Sequence, residues 1–226
     1  VYKRQLQTSV IYMWLGLDDT DSLEGGCTTL VFHELLKALP CGHGEPRLTR
    51  LWPFAAQRTR GNASLSVEVH SDDSIIEWLD NYWSENILPL KGQVSKSDHS
   101  ERLQFPSDPG LVLFENQPNE EYYWEAVRGN VDFYEGGHQW GGNGRIGAAA
   151  SCAWRARTST WEGIAWRKEE RLVSEDALRL VDDLEGTFLC RDPRTKRGLI
   201  SPRGPCPVMF LSLIHISEPT RPVLNS

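Results

Sequence analysis

From Tyr12 the chain runs "YMWLGL" straight into "DDTDSLEGG" and then into "CTTLVFHELLKAL". That order leaves few folds open. A short apolar run that stops at a polar turn suits a buried strand, and Asp18, Asp19 and Asp21 then lie at its C-terminal end. In the segment that follows, apolar residues recur at Leu30, Val31, Leu35, Leu36 and Leu39, a helical spacing that ends at Pro40 and Gly42. A strand, an acidic turn and a helix are therefore contiguous, with the helix starting near Thr28.

The alternation continues. "ASLSVEV" predicts a half-buried strand through Leu65, Val67 and Val69, and "SDDSIIEWLDNYWSEN" predicts a helix with an apolar face at Ile75, Ile76, Leu79 and Trp83. Lys91 to Pro109 is polar and rich in Ser, Asp and Pro, and reads as a loop. "LVLF" at 111–114 is a further strand and "NEEYYWEAVRGNV" a helix, after which "EGGHQWGGNGRIGAAASCAW" reads as a glycine-rich loop entering an alanine-rich helix. Then "TWEGIAWR", "SEDALRLVDDLEG", "TFLC" and "PCPVMF" spell strand, helix, strand, strand, the first four elements of a ferredoxin-like unit. Strands alternating with helices place the chain in the α/β class.

The ends read differently. "VYKRQ" at 1–5 and "LSLIH" at 211–215 can be encoded by DNA segments that are reverse complements of one another, as in a sequencing-library adapter. Residues 1–5 and 211–226 are accordingly expected to be adapter-derived, the natural fragment starting near Met13 and stopping short of its C-terminus. The whole chain carries 24 Lys and Arg against 31 Asp and Glu; without the two ends the counts become 21 and 30. So acidic a surface does not attract nucleic acid by bulk charge, and any RNA contact must come from a local basic patch or from sequence outside the fragment. No apolar stretch reaches 18 residues, which argues against a membrane span and for a cytoplasmic location. Cys27, Cys41, Cys152, Cys190 and Cys206 show no C-x-x-C spacing, so no zinc site is expected within the fragment and the thiols are expected to be reduced.

Three groups of residues carry chemistry. Asp18, Asp19 and Asp21 repel one another, and carboxylates so placed suit a hard cation such as magnesium, which takes one or two carboxylates and leaves its other positions to water and phosphate. The start of the next helix offers free N–H groups and a positive dipole end to the same place, with Thr28 and Thr29 in its first turn. The same residue types fit Asx turns and an N-cap. "RTRGN" sets Arg58 and Arg60 two apart ahead of a strand, with Gly61 and Asn62 beside them, a pattern for phosphate oxygens or for an ordinary basic turn. "GGNGRIG" contains G-x-G-x-x-G at Gly142, Gly144 and Gly147, with Arg145 inside it. The preceding "GGHQW" is not an apolar strand, so a general phosphate-contacting loop is favoured over a dinucleotide fingerprint. His138 is a candidate proton carrier or a surface hydrogen-bonder.

Taken in order, "GLDDTDS…GGCTT", "PRLTRL…RTRGN", "GNGRIGA", "WEGIAWR" and "LISPRGPCPVMF" resemble the archaeal-type tRNA-Ile (CAU) agmatidine synthetase family over essentially the whole natural fragment. The resemblance implies a kinase-like mixed α/β ATP-binding catalytic domain over residues 6–158 and a truncated ferredoxin-like α+β domain over 159–210, with the family's OB-fold and zinc ribbon absent. It implies an ATP-dependent ligase that activates the 2-carbonyl oxygen of the wobble cytidine by phosphorylation and then lets agmatine displace the phosphate. Asp18, Asp19 and Asp21 would hold magnesium and ATP, and Thr28 would be the phosphorylatable threonine. Thr29, Arg58, Arg60, Gly61, Asn62, Gly142, Gly144 and Arg145 would meet ATP or its phosphates. The partners implied are tRNA-Ile with a CAU anticodon and agmatine. Two departures stand out: Arg58 occupies a position where the family leads one to expect Lys, and Arg203 one where it leads one to expect His.

Overall fold

β1 (Ile11–Asp18) is the axis of the computed structural model, in which residues 11–22, 26–52, 55, 62–92, 98–99, 102–103, 105–129, 131–155, 161–166, 187–188 and 207–212 are described. Its odd and even positions face opposite sides, as the period of a strand demands. Met13, Leu15 and Leu17 point to one layer of helices, Trp14 and Gly16 to the other. β1 pairs antiparallel with β4 (Ala63–Ser71) on one side and with β7 (Gly110–Phe114) on the other, so that Leu17 is opposite both Leu65 and Leu111, and Asp18 opposite Gly110. β8 (His138–Gly141) extends the sheet beyond β7, while β2 (Gly42–His43) and β3 (Arg47–Arg50) both pair with β4. Every pairing among these strands is antiparallel, so the α/β alternation of the sequence is realised as a mixed fold without parallel crossovers.

Two helical layers cover this sheet. α1 (Thr28–Ala38) and α2 (Ser74–Tyr82) bury Phe32, Leu35, Ile75 and Leu79 against the odd face of β1 and its neighbours. α2 continues into a π-helical turn, Trp83–Ile87, which brings Trp83 and Ile87 into the same core. α4 (Gly144–Ala153) lies on the opposite face with α3 (Glu120–Arg128) beside it. The small residues of α4 let its backbone ride directly on the sheet: a Cβ on Gly16 would lie 2.5 Å from the Ala148 carbonyl oxygen. α3 is bounded as its ends direct, Asn119 Oδ1 accepting from the Glu121 N–H and Gly129 closing the helix at φ +80°.

Three local expectations change in the structure. β4 is buried on both faces rather than one, because α4 covers its polar side. Ser64 and Ser66 are fully enclosed, Ser66 Oγ donating to the Ser151 carbonyl at 3.0 Å and Ser64 Oγ to the Leu17 carbonyl at 3.0 Å. "HQWG" is a strand after all, formed because an edge position asks for main-chain pairing with β7 rather than an apolar sequence. The loop between Lys91 and Pro109 also contains two paired two-residue strands, β5 (Asp98–His99) and β6 (Arg102–Leu103).

The chain divides into two compact units, residues 1–154 and 155–226. In the second, β9 (Trp161–Trp166), β10 (Thr187–Phe188) and β11 (Pro207–Ser212) form an antiparallel sheet of order β10-β11-β9. The third strand lies between the first two, which is the split arrangement of a ferredoxin-like unit. The helix expected from "SEDALRLVDDLEG" falls outside the described residues. β11 pairs through Leu211 and Ser212, beyond the expected limit at 210.

Candidate functional site

The sheet ends at one edge with Asp18 of β1, Gly110 of β7 and Gly141 of β8, in register. Each of these strands either turns there or begins there, so the acidic turn, the segment before β7 and the start of α4 are brought together. Asp18 Oδ1 accepts the Asp19 N–H at 2.8 Å, and Asp19 adopts φ +57°, the left-handed region that an Asp tolerates better than most residues. Asp19 Oδ2 in turn accepts the N–H of Asp108, 89 residues away, at 3.2 Å.

Thr28 joins the turn to α1. Its hydroxyl donates to Asp21 Oδ1 at 3.1 Å and accepts from the Thr20 N–H at 3.3 Å and from Thr20 Oγ1 at 3.2 Å. Thr20 and Thr28 are both buried, so this cluster fixes the turn over the helix start. Cys27, the residue before α1, makes no side-chain cap, and the first turn holds no acidic residue. The positive end of the helix therefore faces the acidic turn without being neutralised from within α1.

The carboxyls are electrostatically strained. Burial, with repulsion from Asp19 and Asp21 added, drives the Asp18 carboxyl well above the usual carboxylate range, against the Asp19 N–H bond that opposes it. Burial first, with repulsion from Asp21 and Asp108 added, pushes Asp19 up to about 7 even though the Asp108 N–H favours its charged form. Among the described residues no group of three or more His, Cys, Asp and Glu side chains closes on a metal ion. What the turn does offer is two adjacent, partly desolvated carboxyls whose repulsion a divalent cation would relieve. That fits magnesium, which typically takes one or two carboxylates and completes its shell with water and phosphate oxygens.

The glycine-rich segment reaches this edge in an unexpected way. Gly142 N–H donates to the Pro109 carbonyl, Asn143 N–H to Asp108 Oδ2 at 2.7 Å, Gly144 N–H to the Asp108 carbonyl at 2.9 Å and Arg145 N–H to the Gly142 carbonyl. The amides that sequence reasoning offers to phosphate are thus paired within the protein. The glycines serve close approach instead: a Cβ on Gly147 would collide with Asp18 Oδ2, and one on Gly142 with the Asp108 carboxylate. Arg145 donates from Nε to the Gly142 carbonyl and lays its guanidinium over the Phe133 ring at 3.8 Å. G-x-G-x-x-G does follow a strand and open a helix, but β8 is an antiparallel edge strand and not the first strand of a βαβ unit, so the dinucleotide context is absent.

Of the remaining expected residues, Thr29 stands in the first turn of α1. Asn62 anchors the approach to β4, donating from Nδ2 to the Trp52 carbonyl at 2.7 Å while its own carbonyl accepts the Leu51 N–H. Arg58, Arg60 and Gly61 lie outside the described residues. His138 pairs with Leu113, three residues along β7 from Gly110, so it stands toward the opposite end of the sheet, about 10 Å away along the strand. There it lines a separate cavity of about 370 Å³ with Met13, Asp73 and Glu115. Sequence reasoning missed Asp108 and Lys91. Lys91 Nζ sits 3.0 Å from Asp108 Oδ1, and although burial opposes its charge, the Asn143 N–H and Lys91 hold the Asp108 carboxyl below its ordinary value. "SDPG" reads locally as a turn, and no short-range pattern couples it to a glycine segment more than 30 residues on.

A geometry this specific finds counterparts. A family model described as the TiaS TCKD domain matches residues 14–139, and one described as the TiaS FLD domain matches residues 142–211. TiaS of Thermoplasma volcanium, a 2-agmatinylcytidine synthetase acting on an isoleucine tRNA, is 33% identical, over 88% of this chain and 52% of its own length. The enzyme of the same name from Methanopyrus kandleri is 35% identical, over 87% and 49%. The crystal structure of TiaS in complex with its isoleucine tRNA and ATP superposes with a TM-score of 0.67 at 23% identity, covering 89% of this chain and 52% of that one. A complex of TiaS with the tRNA, AMPCPP and agmatine gives 0.66. The chain spans about half the length of the curated relatives it matches. With family models covering both of its units, and with the acidic turn and the glycine segment both inside the matched ranges, the chain belongs to the TiaS family.

Proposed function

We propose that this chain is the ATP-using part of an enzyme that conjugates agmatine to the wobble cytidine of tRNA-Ile (CAU). The observation that carries the reading is the meeting of the acidic turn with the start of α1, through Thr20 and Asp21 on Thr28, at the sheet edge where Asp18 ends β1. The names of the relatives, and the ATP, tRNA and agmatine of the related complexes, support it.

In this reading, residues 6–158 form the catalytic domain and 159–210 the ferredoxin-like one. Asp18 and Asp19 hold magnesium, which when bound neutralises phosphate charge, and Asp21 orients Thr28 over the turn. The start of α1, with Thr29, faces the phosphates, and Arg58, Arg60, Gly61 and Asn62 complete the phosphate side. Gly142 and Gly144 contribute by bringing α4 close, and Arg145 by its charge beside Asp108. The 2-carbonyl oxygen of cytosine is a poor leaving group. Phosphorylating it makes one that the amine of agmatine can displace, so the chain's task is to position the reactants and stabilise developing negative charge. Thr28, expected to be the phosphorylatable threonine, must shed the hydrogen bonds it accepts from Thr20 before its oxygen can act as a nucleophile, while Asp21, which accepts its hydroxyl hydrogen, is placed to take the proton. A location in the cytoplasm accords with such a task.

The test is to join the chain to the remaining part of the Thermoplasma volcanium relative and incubate it with labelled Mg-ATP, a CAU-anticodon isoleucine tRNA and agmatine, following nucleotide products and wobble-nucleoside mass together. A mass gain that needs both ATP and agmatine is expected, and Asp18→Asn should lower it by at least 100-fold. ADP formation with an unchanged nucleoside would make the protein a metal-dependent kinase instead, and ATP binding without any product would make it a nucleotide- or RNA-binding module.

A further inference from the structure

Asp108, which no sequence motif singles out, makes four directed contacts at the sheet edge. Its main-chain N–H donates to Asp19 Oδ2, its carbonyl accepts the Gly144 N–H, its Oδ2 accepts the Asn143 N–H and its Oδ1 pairs with Lys91. Gly142 leaves room for the carboxylate, since a Cβ there would overlap it. Three segments distant in sequence, the acidic turn, the lead into β7 and the start of α4, are thereby tied through one residue. Asp19 needs such a tie, because it holds a left-handed backbone conformation without being glycine, and such positions persist where surrounding structure over-determines them.

We infer that Asp108 is a positioning residue: by clasping the start of α4 with its carboxylate and carbonyl, it holds its own N–H where that N–H fixes the Asp19 carboxylate. The clasp is a property of the fold, and its bearing on catalysis rests on the nucleotide reading above. Side-chain loss at 108 leaves the N–H in place chemically but removes what aims it. Asparagine keeps an oxygen for the Asn143 N–H and loses only the charge that pairs with Lys91, so it should preserve the clasp.

Amide hydrogen exchange on the whole chain reads this without any ligand. Asp108→Ala should speed exchange at Asn143 and Gly144, and also at Asp19 and Thr20, by at least tenfold, whereas Asp108→Asn and Lys91→Met should stay within about threefold of the parent. Faster exchange at 143–144 with an unchanged acidic turn would overturn the inference, leaving Asp108 a helix cap only. A Lys91→Met variant that reproduces Asp108→Ala would overturn it as well, by moving the role to the ion pair. If Asp108→Ala does not fold, Asp108→Asn decides: exchange at Asp19 and Thr20 raised tenfold in that variant defeats the proposal. Titration with Mg-ATP supplies the functional arm. Asp108→Ala should raise the Kd at least tenfold with rescue by Asp108→Asn, and a Kd unchanged in Asp108→Ala overturns the functional half of the inference. An Asp19→Ala variant with unchanged Kd would instead sink the nucleotide reading, while the exchange result would still decide the clasp.

Discussion

Asp19 combines a left-handed backbone, a carboxyl pushed up to about 7 and a hydrogen bond across 89 residues. The elevated value has a sign that can be tested. Between roughly pH 4 and 7 the folded chain keeps a proton at Asp19 that the unfolded chain has released, so stability without divalent ions should fall as pH rises through that window. Asp18 is raised for the same reason and acts in the same direction. Urea midpoints measured at pH 5 and pH 8 should therefore differ, with the lower value at pH 8, and Asp19→Asn should shrink the difference. A midpoint that climbs with pH would show that the carboxyls are ionised at little cost. Much of this was legible in the sequence: three Asp in four residues announce mutual repulsion. Which of them is most desolvated was not, because that depends on α4 lying over the end of β1.

At the scale of elements, α4 is held by contacts rather than by composition. Ser151 Oγ donates to backbone oxygen, with the Leu65 and Ala148 carbonyls at 3.0 and 2.8 Å, and Ser66 Oγ grips the Ser151 carbonyl. Ser151→Ala should cost about 1–3 kcal/mol, since it strips a buried donor from a polar network, a loss that thermal or urea unfolding would report. Gly147→Ala should destabilise the protein, against the roughly 1 kcal/mol that replacing Gly by Ala usually gains inside a helix, because the new methyl meets the Asp18 carboxyl, and it should weaken Mg-ATP binding at the same time. A Gly147→Ala protein as stable as its parent and with unaltered nucleotide binding would mean that α4 can shift away from the turn. The helices α1, α2 and α3 were legible from periodicity and end signals. β8 was not, because an edge strand of "HQWG" carries no apolar signature and exists through pairing with β7.

For the whole molecule, the core of the first unit lies between the sheet and α1–α2, where Leu15, Leu17, Leu35 and Leu79 are fully buried. Leu17→Ala should lower stability by about 2–5 kcal/mol, seen as a lower urea midpoint, and a change under about 1 kcal/mol would show that the layer is loosely packed. Because the two units are each compact, residues 1–154 produced alone should unfold in a single cooperative transition. A broad or absent transition would show that the first unit needs the second. Composition argues against binding of nucleic acid by bulk charge, and with 24 basic against 31 acidic residues any RNA contact has to come from a local basic patch or from sequence outside this chain.

By itself the sequence determined the order of strands and helices, the acidic turn between β1 and α1, and, through five short motifs in series, the family. These follow from local physics: apolar periodicity, capping and turn chemistry act over a few residues and can be read without the rest of the chain. Only the tertiary structure decided that the sheet is antiparallel throughout, that the glycine segment gives close packing rather than open amides, that His138 stands away from the acidic turn, and that Asp108 ties three segments together. Those outcomes depend on which strands pair and what covers them, a choice made by burial over the whole chain and not by any stretch of it.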